Sequence, residues 1–389
     1  MRIIRVSVIH PRQPSKDARL NLIGVEEMLG QEGIPFTTAT VDDLAAGTNP
    51  LVAVDHASFT PEEGRQLARL AQSIPLIWTG VPAAGAHPDL LARLGLPGVD
   101  TMADGNLRLL RLRPHAITAP YSHPKEATLR LKFVEHLCAG CPVGAEELAA
   151  LQLGDGMRLG TAAYAVDSRP RRVVFTLPLG TVYCLKTSHY TDGEHLDQTD
   201  FPICTTVDVL RGLLREAIGW ASGDGILARK YYWPLRGTVP RGLFSTNHDL
   251  CGYSERGFDF IRQVCDGEGV RTTFFDLYPF RLRAGQAQGH DVCLHAPDST
   301  TYEEIVAQKR ALEERQGIHV RGWRRHGCTT KEHWPRIWHD MVRAGLEWSS
   351  SHNPQTHPTM GAAYHLATGN RLPGYLVDVG AGTRIPLLE

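Results

Sequence analysis

Gly242-Leu-Phe-Ser-Thr-Asn-His-Asp-Leu-Cys-Gly252 is the stretch on which the reading of the second half turns. An apolar run delivers polar residues in succession just before a glycine, as a barrel strand does when it presents ligands at its C-terminal rim. Working outward, the spacing predicts a helix over Ser254–Glu268 and strands over Gly269–Phe275 and Gly289–His295. A helix over Thr301–Gln316, a strand over Ile318–His326, a helix over Glu332–Ala344 and a strand over Gly345–Ser351 continue the series. The tail, Tyr375–Glu389, reads as a hairpin entering a further strand, which leaves a short barrel with an edge to cover.

Upstream, apolar runs at Ile3–Ile9, Pro35–Thr40, Leu51–Val54 and Pro75–Gly80 alternate with helical patterns such as Ala18–Glu32, an order that predicts a parallel sheet wound with helices. Thr60, Pro61 and Glu63 form a good helix start: a capping hydroxyl, a proline at the first helical position and an acid at the third. A strand over Arg172–Gly180 and a helix over Thr205–Trp220 complete this half. The expected domains are 1–222 and 230–389, with the glycines of Ser222–Gly225 and the aromatics of Tyr231–Leu235 at the junction.

Composition agrees with two or three domains, because 389 residues at about 150 per domain suggest no fewer. With 42% hydrophobic residues, 21% charged and a formal charge of -1, the chain has material for real cores and no electrostatic footprint for nucleic acid or an anionic membrane. Arg321, Arg324 and Arg325 are interrupted by Trp323 and read as a strand with polar neighbours. No run reaches the ~20 apolar residues of a membrane helix. Met1–His10 reads as a strand and not a signal peptide, so the eight thinly spread cysteines point to a reducing cytoplasm. Cys138-Ala-Gly-Cys141 is a lone C-x-x-C with no second pair to complete a metal site, and two buried thiols are the better reading. Asp55-His56, at a strand end, could line a crevice or sit in a solvated loop.

The first half resembles class I glutamine-amidotransferase-like domains, which implies a flavodoxin-like, doubly wound α/β fold. No cysteine stands on the turns after Leu51–Val54 or Pro75–Gly80, so a catalytically silent relative is expected. Four ordered blocks of the second half, about residues 237–380, resemble the polysaccharide deacetylase superfamily: Thr246–Asp249, Gly269–Phe275, Gly289–His295 and Arg324–Gly327, followed by Gly345–Ser350. That resemblance implies a partial or distorted (β/α) barrel.

It also implies a divalent metal, expected to be zinc, which polarises a carbonyl and activates water while side chains move the protons. By position Asp249 and His295 become metal ligands, and the third place falls on Ser299, a poor ligand. The base place falls on Asn247, which cannot take a proton, or on His248, which can. Arg325 and His326 would orient the base, Asp298 and His290 are candidate replacements for the missing ligand, and Trp323 is a candidate substrate contact. His290 is expected to precede its strand and point away from the rim, and His352 and His357 lie in a proline-rich loop that could cover the pocket. The implied function is a metal-dependent amide hydrolase acting on a carbohydrate or another N-acetylated small molecule, a carbohydrate N-deacetylase. The alternative is a carbohydrate-binding relative of the same fold without catalysis.

Overall fold

The computed structural model describes residues 4–44, 49–55, 57–82, 86, 88–96, 100–101, 108–122, 128–131, 136–137, 140–188, 206–223, 227, 246–297, 300–326, 335–350 and 374–388. It is a mixed α/β protein with two large sheets, a two-stranded ribbon and eight α-helices among the described residues. The chain divides into two compact units, one built mainly from residues up to Tyr232 and the other mainly from Trp233 onward.

The first unit opens with β1 (Val6–His10), α1 (Lys16–Gln31), β2 (Phe36–Thr40), β3 (Leu51–Val54), α2 (Pro61–Leu70), β4 (Leu76–Thr79) and α3 (Pro88–Leu94). Then come the short strand β5 (Asp100–Thr101), β6 (Arg108–Leu112), β7 (Thr128–Leu131), β8 (His136–Leu137), β9 (Glu146–Gln152), β10 (Arg158–Val166), β11 (Arg172–Phe175), α4 (Leu179–Ser188) and α5 (Thr206–Ser222). β5 and β8 form the ribbon; the other nine strands make one sheet in the order β2-β1-β3-β4-β11-β10-β9-β6-β7.

Only the half from β2 to β11 is parallel. β10, β9, β6 and β7 run antiparallel to their neighbours, which corrects the expectation of a parallel sheet. The reason is the connection: Leu153–Met157, with Gly156 at φ 89° and Leu153 N–H bonded to the Met157 carbonyl, turns the chain straight back from β9 into β10 without a helix.

Helix starts follow the local chemistry. Thr60 accepts from Glu63 N–H while the Glu63 carboxylate accepts from Thr60 N–H, a complete capping box. α1 and α4 approach closely at two glycines, since a Cβ on Gly24 would stand 2.0 Å from the Gly180 carbonyl oxygen. Asp55 is buried and accepts from Ser58 and Phe59 N–H, so it closes the turn after β3; His56 lies outside the described residues.

From β12 on the chain follows the predicted βα series: β12 (Asn247–Asp249), α6 (Glu255–Gly267), β13 (Thr273–Leu277), β14 (Asp291–Ala296), α7 (Tyr302–Gln316), β15 (Gly322–Arg325), α8 (Arg336–Arg343), β16 (Trp348–Ser349), β17 (Tyr375–Asp378) and β18 (Thr383–Leu388). Ser254 and Thr301 are the N-caps of α6 and α7. The sheet order is β12-β13-β14-β15-β16-β18-β17, parallel from β12 through β18.

Register and period-two alternation sort the strand residues onto two faces. Asn247, Asp249, Phe275, Cys293, His295 and Arg324 share one face, because Asp249 pairs with Phe275, Phe275 with Cys293, and His295 with both Leu277 and Arg324. His248, Phe274, Leu294, Trp323 and Arg325 take the other. Phe274, Leu294 and Trp323 join Phe258 of α6, Ile305 and Leu312 of α7 and Trp338 and Met341 of α8 in the core beneath that second face.

Candidate functional site

The carboxyl ends of β12 to β15 bring together side chains far apart in sequence. Arg324 Nη1 donates to Asn247 Oδ1 at 2.7 Å and to Asp249 Oδ1 at 3.1 Å, its Nη2 donates to Ser350 Oγ at 2.7 Å and its Nε to the Ser350 carbonyl at 3.0 Å. Its guanidinium lies 4.3 Å from the centre of the Phe275 ring, which meets Trp348 edge-on at 5.9 Å. Three strand spacings separate β12 from β15, about 14 Å in a flat sheet, farther than an arginine side chain can span. The sheet therefore curls, with this array on its concave face. Gly322 permits the curl: a Cβ there would stand 2.2 Å from a ring atom of Trp348.

At the same edge, donor atoms of Cys251, His295 and His326 all lie within 4.8 Å of one another. Cys251 sits in the turn after β12, His295 near the end of β14 and His326 directly after β15, where its N–H donates to the Ala296 carbonyl. His295 is buried; Cys251 and His326 are exposed. The two imidazoles meet edge to face, centroids 5.0 Å apart at 80°. His295 Nδ1 lies 3.0 Å from the Arg324 carbonyl, which can only accept, so Nδ1 carries the proton and Nε2 keeps its lone pair. Burial lowers the His295 pKa, partly opposed by the Asp249 charge, and favours the neutral ring that a metal ligand needs.

The sequence-derived residues divide sharply. Asn247, Asp249, His295 and His326 reach the concave edge. His248 does not: it lies on the helix-packed face with its ring 5.7 Å from Phe274, and burial lowers its pKa. Adjacency in sequence placed it beside Asp249, whereas alternation turns neighbouring side chains apart. Trp323, only 1% exposed, is a core residue and not a surface for substrate, and Arg325 is buried on the same face.

His290 precedes β14 at the opposite edge, where Nδ1 accepts from Thr272 N–H and Nε2 lies 3.2 Å from Asp266 Oδ1, too far round the sheet to replace a ligand beside His295. Ser299, Asp298, His352, His357, Cys138 and the aromatics Tyr231–Leu235 lie outside the described residues. Cys141 is half-buried, with its thiol 3.5 Å from the Ala145 carbonyl.

The expected set of Asp249, His295 and Ser299 is not assembled among the described residues, since Ser299 lies outside them. Asp249 is engaged by Arg324, and its carboxylate is absent from the one converging His/Cys/acid group among the described residues. Two contributors were missed in sequence, Arg324 and Cys251. For Cys251 a signal existed: Asn247, Asp249 and Cys251 share the parity of one strand face.

No family model matches the chain, and no curated protein matches it. Parts of solved structures do. A catalytic mutant of Gan42B, a GH42 beta-galactosidase from G. stearothermophilus, is 13% identical over 45% of this chain and 27% of that one, with a TM-score of 0.31. A beta-galactosidase from Bacillus circulans sp. alkalophilus is 12% identical over 49% and 33%, with a TM-score of 0.34. An exo-beta-1,4-mannosidase from Opitutaceae bacterium strain TAV5 is 10% identical over 46% and 32%, with a TM-score of 0.32. The chain thus spans about a third or less of the length of these enzymes. No activity is transferred from likeness this partial.

None of these three proteins is named as a deacetylase or an amidotransferase. The assignment of the two halves to those families is corrected accordingly, and with it the carbohydrate N-deacetylase function. No helix among the described residues is long and apolar enough to cross a membrane.

Proposed function

We propose that the concave carboxyl edge of the second sheet is a carbohydrate-binding site. The observation that carries this reading is the single hydrogen-bonded array of Asn247, Asp249, Arg324 and Ser350 beside the Phe275 ring. Strand carboxyl ends are where α/β folds place ligands, and a fork of amide, carboxylate, guanidinium and hydroxyl groups, with Asn247 exposed, suits a ligand with hydroxyl edges. The proposal stops at binding. Glycoside cleavage generally needs two carboxyl groups flanking the bond; among the described residues, Asp249 is paired with Arg324, and Asp276 is wholly buried, accepting from Arg281 and Leu282 N–H.

Two finer readings belong to the same proposal. The parallel half of the first sheet is read as a flavodoxin-like, doubly wound layer, and the curled second sheet as an incomplete (β/α) barrel. A third reading, a cytoplasmic setting, rests on eight cysteines spread thinly over 389 residues.

Saturation-transfer NMR on the full chain tests the binding, with β-1,4-linked tetrasaccharides of glucose, mannose and galactose as probes. The expected result is transfer to ring protons of at least one probe, weakened about tenfold by Asn247→Ala, a change at an exposed position. No transfer to any probe at millimolar concentration, or equal binding by the variant, overturns the reading.

A further inference from the structure

We infer that Cys251, His295 and His326 form a binding site for a borderline-soft divalent transition-metal ion, one that uses neither Asp249 nor Ser299. The inference does not depend on the carbohydrate reading, and it departs from the ligand set that the sequence motifs suggested.

β12, β14 and β15 each lead one donor to the same edge. Cys251 lies in the turn fixed by the Leu250 N–H bond to the Phe275 carbonyl and the Tyr253 N–H bond to the Leu250 carbonyl. His295 is inside β14, and His326 prolongs the β14–β15 ladder through its bond to Ala296. The donors are thus held by backbone that is already paired, which limits the ordering that binding must impose.

The chemistry of the set is selective. One thiolate and two neutral imidazoles suit a tetrahedral, borderline-soft ion and disfavour magnesium or calcium, which take oxygen ligands. With three protein ligands, a fourth position stays open to water or another small donor. Tetrahedral bonds of about 2.0–2.3 Å place ligand atoms roughly 3.5 Å apart. Donors already within 4.8 Å reach that spacing by modest side-chain rotation, which the exposed Cys251 and His326 can make. The buried His295 needs none, because the Arg324 carbonyl fixes its tautomer and ring plane.

Asp249 stands outside the set because Arg324 neutralises it from a guanidinium that also binds Asn247 and Ser350. Binding displaces the thiol proton to solvent, so the site gains a thiolate–metal bond and releases one proton.

The full chain, freed of metal with a chelator and dialysed, is titrated with cobalt(II) alone. The expected result is stoichiometric binding, with a thiolate-to-cobalt charge-transfer band in the near ultraviolet and visible bands of tetrahedral intensity. Cys251→Ser abolishes the charge-transfer band, and His326→Ala weakens binding at least about tenfold. Asp249→Asn keeps the charge-transfer band and stoichiometric binding. Circular dichroism and melting confirm that each variant is folded; because Cys251 and His326 are exposed, neither change opens a core cavity.

Failure of the wild type to take up cobalt overturns the proposal. So does a charge-transfer band that survives Cys251→Ser, and so does loss of binding in Asp249→Asn with retention in Cys251→Ser, which would return the ion to an aspartate–histidine set. Glycan binding, read separately by NMR, can fail or succeed without changing any of these outcomes.

Discussion

Arg324 on β15 holds Asp249 on β12, Nη1 to Oδ1 at 3.1 Å, although two strands lie between them. The bond exists because the sheet curls, and it holds the curl in turn, since the same guanidinium reaches Asn247 on the first strand and Ser350 past the fifth. With Arg324 at 14% and Asp249 at 34% side-chain exposure, the pair is shielded enough to matter and wet enough to avoid the full desolvation cost of a buried one.

Removing Arg324 should therefore loosen the closure. Arg324→Ala leaves Asn247 and Asp249 without their shared donor and strips a cation from the Phe275 ring, and should cost about 2 kcal/mol. Urea denaturation measures it. A midpoint equal to that of the wild type would show that the sheet curls without this residue.

Gly322 should tolerate no side chain. Gly322→Ala drives a methyl into the Trp348 ring from paired backbone that cannot retreat, an overpacking cost of about 1–3 kcal/mol. Gly219→Ala, where an added Cβ meets nothing within 4 Å, is the matched control and should be neutral or mildly stabilising.

In the first unit, Thr60→Ala should cost about 1 kcal/mol by removing the hydroxyl that accepts from Glu63 N–H. Glu63 also holds Arg12 N–H at 2.7 Å, so Glu63→Ala should cost more than Thr60→Ala. Thermal melts of the two variants give the order directly, and a reversed order would refute the assignment of Glu63 as the shared anchor.

Stability should also carry a histidine signature. Burial lowers the His115 pKa, with Glu146 and Asp167 opposing it. The unfolded chain then takes up the proton first as pH falls. The contribution is complete above the ordinary value of about 6.5 and is lost as pH drops from there toward the lowered folded value. Melting temperatures between pH 8 and pH 5 should fall less steeply in His115→Gln than in the wild type. Parallel profiles would show that His115 is not the group responsible.

Much of the local structure was legible in the residues alone. The capping pair at Thr60, the helix starts at Ser254 and Thr301, the strand Leu51–Val54 and the order of the second-half βα series rest on contacts within a few positions or on apolar periodicity, and both are written along the chain. Long-range pairing is not. The antiparallel half of the first sheet arises because β9 turns directly into β10, and its pairing with β6, distant in sequence, has no local marker.

The site shows the same division. A run of polar residues ending at Asp249 marked the right edge, and His295 and His326 were named only through the family resemblance that the comparisons overturned. Which neighbours face one another was decided by register, strand order and curvature. Alternation sent His248 and Trp323 to the helix side, the curl carried Arg324 to Asp249, and the turn after β12 set Cys251 beside two histidines from other strands. Residue types state which chemistry is available, and backbone pairing between segments remote in sequence determines which of those residues meet, because convergence depends on three-dimensional spacing that no single segment encodes.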